Sequence, residues 1–255
     1  MSQNCAMDIE QIEAIERATV QAVSPDAQEE IPGWILPFDA GTVGRAKSAV
    51  PLSHTAPANG VLQEIEAAYA QRGLPVMLRL PLIPQFDPFR VKLVAQGYRE
   101  ETITEVQTAA AQSLRSVGGG ADVDVLDAPS PDWASVFLGE GFDPVDGASR
   151  VKKLGRARGT LFAIVRDGTR PVAAGAAAFS HGWASVHGMR TAQDRRGRGL
   201  AGSVLAALAD AAIRRGYDQL FLQVAADNAG AKSLYQRAGF TPAWVYSYWR
   251  KPAGR

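Results

Sequence analysis

The segment Arg195-Arg196-Gly197-Arg198-Gly199-Leu200-Ala201-Gly202 lies between a strand-like run, residues 183–191, and a helical pattern whose Leu200, Val204, Leu205, Leu208 and Ala212 fall on one stripe. A strand that turns through glycines into a helix leaves unpaired backbone N–H groups at the positive end of the helix dipole. The glycines let an anion come close to the backbone, and the arginines add charge at the same place. The segment therefore predicts a phosphate site, with a pyrophosphate as the natural guest.

Spacing leaves more than one identity open for that guest. Gly197, Gly199 and Gly202 also satisfy the dinucleotide fingerprint G-x-G-x-x-G, with Asp218 and Asp227 downstream as ribose ligands. Context weighs against it, because a dinucleotide fold needs further strand-helix units and only about fifty residues follow. A nucleoside triphosphate loop needs Lys followed by Ser or Thr, whereas the helix here begins Leu200-Ala201-Gly202-Ser203.

Upstream, Met7, Ile9, Ile12, Ile15 and Val20 predict a helix over residues 7–22, ended by Ser24-Pro25. Two short apolar runs, 34–36 and 49–50, read as antiparallel strands. A helix over 57–72, a strand over 76–80, a helix over 86–96 and a strand over 102–108 follow. Gly118-Gly119-Gly120 then offers no packing side chains and high backbone freedom, which marks a boundary near residue 120. The second half predicts helices near 131–138 and 146–153, and a hairpin of strands 160–166 and 171–179 around Asp167-Gly168. The strand 183–191 follows, and after the phosphate loop come a helix ended by Gly216, a strand over 219–225, a helix over 229–238 and an aromatic strand over 244–249.

In this setting Arg196, Gly199 and Ala201 resemble the signature Q/R-x-x-G-x-G/A of the GNAT superfamily of acetyl-CoA-dependent N-acetyltransferases. A second stretch, Asn228-Ala229-Gly230-Ala231-Lys232-Ser233-Leu234-Tyr235-Gln236-Arg237-Ala238-Gly239-Phe240, resembles that family's N-x-x-A-x-x-L-Y-x-x-x-G-F helix. Both stand in the family's order and spacing, and the resemblance covers about residues 121–250. It implies an α+β GNAT fold, a mixed and mostly antiparallel sheet flanked by helices, with acetyl-CoA as co-substrate and no metal.

The resemblance also implies roles. The backbone of Arg196, Gly197, Arg198, Gly199, Leu200, Ala201 and Gly202 cradles the pyrophosphate, with Arg196 and Arg198 as charge partners. Met189, Arg190 and Thr191 run along the pantetheine arm as an added strand would. Asn228 hydrogen-bonds the arm and caps its own helix, and Ala231 belongs to the same cofactor site. Tyr235 assists departure of the thiolate. Many members place a Glu base on the strands, but residues 183–191 carry no carboxylate, which leaves the base unassigned, with His187 as the candidate side chain and a water relay as the alternative.

The first half repeats the order of the second: Gly73-Leu74 to Gly97-Tyr98 matches Gly216-Tyr217 to Gly239-Phe240 at nearly equal length. It is expected to be a degenerate GNAT-like domain, residues 1–116, with Ser53 to Gly60 where the phosphate loop should stand. Residues 117–123 form the linker, and residues 124–255 form the catalytic acetyltransferase domain. With 27 Lys and Arg against 26 Asp and Glu, the charge balance gives no support for a nucleic-acid partner. The single Cys5 excludes an intrachain disulfide, and no apolar run spans a bilayer, so no membrane partner is expected and a cytoplasmic setting fits.

These features together predict transfer of acetyl from acetyl-CoA to a primary amine of a small molecule or peptide by direct attack. A homodimer is compatible with that reading. The rival is a non-catalytic acyl-CoA sensor or scaffold, favoured by the missing carboxylate and the degenerate half.

Overall fold

The computed structural model describes residues 7–252, so Cys5 lies outside the described residues. In chain order the elements are α1 (Ile9–Val23), β1 (Ala27–Ile31), β2 (Trp34–Phe38), β3 (Val50–Pro51), α2 (Val61–Ala70), β4 (Met77–Pro81), α3 (Asp87–Ala95) and β5 (Arg99–Ala110). They continue as β6 (Asp124–Leu126), α4 (Pro131–Phe137), α5 (Pro144–Arg156), β7 (Leu161–Asp167), β8 (Arg170–Ser180), β9 (Trp183–Thr191), α6 (Leu200–Arg214), β10 (Gln219–Ala225), α7 (Ala229–Arg237) and β11 (Thr241–Arg250). The strands β1 and β6 are additions to the pattern read from sequence. β1, Ala-Gln-Glu-Glu-Ile, is almost wholly exposed and offers no apolar alternation to detect.

Helix boundaries follow local chemistry. Asp8 and Gln11 form a capping box at the start of α1. Ser130 and Asp143 cap α4 and α5, each followed by proline in the first turn. Gly239, at φ +88°, ends α7 with Phe240 N–H donating back to the Tyr235 carbonyl at 2.9 Å.

Eight strands form one mixed, mostly antiparallel sheet in the order β4-β11-β5-β10-β9-β8-β7-β6. The three-stranded sheet β1-β2-β3 joins it through a single parallel bridge between Ala49 and Leu78. The last strand of each half is exchanged: β5 lies along β10 over Ala225↔Thr104 to Gln219↔Ala110, and β11 lies along β4. β5 and β11 also pair with each other, so the sheet does not divide at residues 117–123.

The triple glycine is packed and not a free tether. A Cβ on Gly119 would stand 2.9 Å from the Gly199 carbonyl oxygen, and the Gly119 N–H donates to Ser203 Oγ at 2.9 Å. Glycine is needed there for close approach to the start of α6, and that need produces the same composition as a linker.

The two halves are also joined by side chains. Lys153 of α5 is buried against Asp39 and reaches Asp26 at 3.2 Å, while Thr42 Oγ1 donates to Asp146 Oδ1 at 3.0 Å. These contacts hold the loop between β2 and β3 against α5.

Candidate active site

β9 and β10 run parallel for only three residue pairs, Ala184↔Leu220 to Val186↔Leu222, and then part. On its other edge β10 stays zipped to β5 for its whole length, so β9 is the strand that leaves. A β-bulge causes this: Ala174 faces Arg190 and Ala176 faces His187, which sets Gly188 and Met189 against Gly175 alone. Gly188 sits at φ +61°, and a Cβ there would meet Leu154 and Phe137 at 2.8 and 2.9 Å, so both backbone and packing require glycine.

Beyond this opening the phosphate loop leads into α6. Gly197 and Gly199 both adopt φ +76°, and the start of α6 has no side-chain cap. The first backbone bond there is from Ser203 N–H to the Gly199 carbonyl at 3.1 Å, which leaves the preceding N–H groups as donors for a ligand. Arg195 is engaged by Asp167 at 2.8 Å and Asp194 at 2.7 Å, whereas Arg196 and Arg198 have no carboxylate partner among the described residues. The charge at this loop is therefore available to an anion.

A cavity of about 530 Å³ spans the loop, the end of β9 and the start of α7. It is bordered by every residue expected to hold the co-substrate: Met189, Arg190, Thr191, residues 196–202, Asn228, Ala231 and Tyr235. Asn228 Oδ1 accepts from the Ala231 N–H at 3.1 Å, which is the expected cap. The loop donors, the unpaired arginines and the glycine cradle together fit a pyrophosphate and its attached arm.

A second cavity of about 530 Å³ lies beyond the first and shares Met189, Arg190, Asn228, Ala231 and Tyr235 with it. Both halves build it: residues 42–45, Lys47 and β5 on one side, β9, β10 and β11 on the other. Tyr235 is 7 % exposed and borders both cavities. Burial pushes its phenol up to about 12, against a small opposing effect of Arg190, so it stays protonated at neutral pH.

His187 borders the second cavity and is buried, with neither ring nitrogen hydrogen-bonded. Burial, and then the charges of Arg45 and Arg150, hold it well below its ordinary 6.5. It is therefore a neutral imidazole at pH 7.

Known proteins resemble this chain in sequence and in fold. A family described as "Probable histone acetyltransferase Rv0428c C-terminal" matches residues 9–249. The chain belongs to that family, within the GNAT superfamily of N-acetyltransferases. Among curated relatives, the uncharacterized N-acetyltransferase YobR of Bacillus subtilis is 27 % identical over 248 residues, covering 94 % of this chain and 98 % of its own. A mycothiol acetyltransferase of Clavibacter sepedonicus is 41 % identical over 70 residues, which is 28 % of this chain and 23 % of that protein. Among solved structures, a GCN5-related N-acetyltransferase from Kribbella flavida superposes with a TM-score of 0.71 at 18 % identity, covering 95 % and 96 % of the two chains. A tandem GNAT protein from the clavulanic acid biosynthesis pathway gives 0.58 at 14 % identity, covering 97 % of each.

The GNAT motifs account for the first cavity and for little of the second. Arg45, Lys47, Gln223, Tyr246 and Tyr248 border the second cavity but belong to neither motif. The Tyr246 hydroxyl donates to Gln223 Oε1 at 2.8 Å, Arg45 Nη1 donates to the same oxygen at 3.3 Å, and a Cβ on Gly44 would meet the Tyr248 ring at 2.9 Å. These residues meet across the exchanged strands, so spacing along the chain gave no signal for them.

Two consequences can be measured at this stage. Gly202 packs against the backbone of Val117, where a Cβ would stand 2.3 Å from the carbonyl oxygen. Gly202→Ala should lower stability by about 1–3 kcal/mol through overpacking and weaken acetyl-CoA binding with it. Unchanged melting and affinity would show that the chain yields there at no cost.

The second concerns His187, whose folded pKa lies below the unfolded 6.5. The unfolded chain gains a proton on this residue below 6.5 that the folded chain refuses, so its stabilising contribution is full above that pH and lost as pH falls. Denaturant titrations from pH 6.5 down to 5 should show a loss approaching about 1.4 kcal/mol per pH unit that His187→Gln lacks. Parallel curves for the two proteins would refute this.

Proposed function

We propose that the chain transfers an acetyl group from acetyl-CoA to a primary amine of a small molecule or peptide by direct attack. The observation that carries this reading is the position of Tyr235, at the junction of a phosphate-binding cavity and a separate polar cavity. When bound, acetyl-CoA supplies an activated acetyl thioester.

The residues would divide the work as follows. The N–H groups at the start of α6, with Arg196 and Arg198, hold the diphosphate. The bulge at Gly188 and Met189 frees backbone from the ladder to donate a hydrogen bond to the acetyl oxygen. His187, neutral and without a partner, accepts a hydrogen bond from the incoming amine and orients its lone pair. As the C–S bond breaks, Tyr235 gives its Oη proton to the departing sulfur, and the proton released by the attacking nitrogen returns to Tyr235 through water. The same reading places the reaction in the cytoplasm, where acyl-CoA thioesters are available.

The halves are best understood as tandem repeats. β3-α2-β4-α3-β5 has the same order as β9-α6-β10-α7-β11, and each repeat is completed by the other's last strand. Gly60 caps α2 in the left-handed region as Gly199 caps α6, but Ser53 to Gly60 carries no arginine and is not proposed to bind CoA. Its half instead supplies a wall of the acceptor cavity.

The test is thiol release from acetyl-CoA against a panel of amines. Arg196→Ala should raise the Kd for acetyl-CoA about tenfold through loss of a charge-assisted contact, with kcat at saturation nearly unchanged. Tight acetyl-CoA binding without turnover of any amine would replace the transferase with the acyl-CoA sensor.

A further inference from the structure

The second cavity is lined by far more positive charge than an amine-binding site requires. Arg45, Lys47, Arg150, Arg190 and Arg250 border it, and Glu101 is the one carboxylate among its lining residues. Pairing removes only part of that charge. Arg250 meets Glu101 at 2.8 Å, while Arg150 and Arg190 share Asp146 at 2.6 and 3.5 Å. Arg45 and Lys47 have no carboxylate partner among the described residues. Arg45 hydrogen-bonds the neutral Gln223 at 3.3 Å, with the Glu16 carboxylate near enough to feel its charge but not paired with it, and Lys47 Nζ donates to the Gly41 carbonyl at 2.8 Å.

Burial first and neighbouring cations second shift two groups that border this cavity. Burial and then Arg250 lower the Lys47 ammonium, and burial and then Arg45 and Arg150 lower His187. Half-buried cations without counter-charges are costly to fold around unless a ligand supplies the anion. Both residues come from the loop between β2 and β3, which Thr42 and Asp39 fasten to α5. The cost is therefore built into a fixed wall.

Resting on the acetyl-transfer reading, we propose that the acceptor is a small amine that also carries an anionic group, a carboxylate or a phosphate, received by Arg45 and Lys47. The amine end lies toward Tyr235 and His187, and the acid end toward the loop between β2 and β3. The same positive field disfavours an ammonium, so the bound amine loses its proton to water more readily and a strong protein base is not needed. A lysine-rich peptide would bring cations into a cationic cavity and is the disfavoured acceptor.

The experiment is a matched panel in the thiol-release assay. Amino acids are paired with their amides, amino-sugar phosphates with the unphosphorylated amino sugars, and a lysine-rich peptide is included. One acidic series should be used with kcat/KM about 100-fold above its neutral partners, since a site built for an anion leaves its charges unpaired with the neutral analogue. Which series it is separates carboxylate from phosphate. Arg45→Gln combined with Lys47→Gln should bring the acid-to-neutral ratio near one, and Lys47→Arg should keep it. Because the readout is a ratio within one protein, a general loss of folding does not imitate it. Neutral amines or the peptide used equally well or better would overturn the proposal and leave acetyl transfer standing. Acetyl-CoA binding with no turnover of any member would remove both.

Discussion

Tyr235→Phe is expected to lower kcat for acetyl transfer by about 100-fold while acetyl-CoA affinity stays within about twofold of the unaltered protein. Whereas the neighbouring Leu234 borders only the first cavity, Tyr235 is buried in the core cluster and borders both. Its ring is fixed edge-on to Phe240 with centroids 5.8 Å apart, so losing the hydroxyl leaves the ring in place. The phenol, pushed up to about 12 by burial, is protonated throughout the range in which the enzyme would be assayed. A donor of that kind stabilises charge on the departing sulfur and contributes little to ground-state binding, which puts the loss in kcat. Steady-state kinetics with calorimetry of acetyl-CoA binding decides it. A kcat within about threefold of wild type would show that the thiolate leaves without this proton.

Most of the elements and the two motifs that border the first cavity are legible in the sequence because each depends on residues close together in the chain, whereas Phe142, which also borders that cavity, comes from a distant loop. The loop at residues 195–202 and the helix from Asn228 to Phe240 are local motifs, and a local motif carries its geometry with it. The strand β10 spans the same residues, 219–225, that its bounding turn signals predict. The exchange of β5 and β11 depends on pairing between residues more than a hundred apart, which no periodicity encodes. Gly118 to Gly120 shows how composition can mislead: glycine that allows close packing and glycine that allows freedom have the same letter. The second cavity is the least legible part for the same reason as the strand exchange. Arg45 and Gln223 lie 178 positions apart and meet only after both halves fold.

Glu16→Ala should destabilise the protein by about 3–5 kcal/mol, the usual cost of leaving one member of a buried ion pair without its partner. Arg79 of β4 is fully buried, with Nη1 2.6 Å from Glu16 Oε2 of α1. The Tyr246 ring lies 5.2 Å from Arg79 Cζ. Burial raises Glu16 against the pull of Arg79, and burial would lower Arg79 were it not outweighed by Glu16 together with Tyr246 and Tyr248. Each charge is thus tolerated only because of the other. Glu16 also faces the sheet from the helix whose Ile12, Ile15 and Ala18 pack on Phe221, Trp244 and Tyr246, so the pair ties α1 across β10 and the exchanged β11. A melting temperature lower by roughly 10 °C is the corresponding thermal readout for a chain of this length. The double change Glu16→Leu with Arg79→Met should recover most of that loss, because apolar side chains of similar volume remove both desolvation penalties. A single change costing less than about 1 kcal/mol would mean that water reaches Arg79 and that the tie between α1 and β4 rests on packing alone.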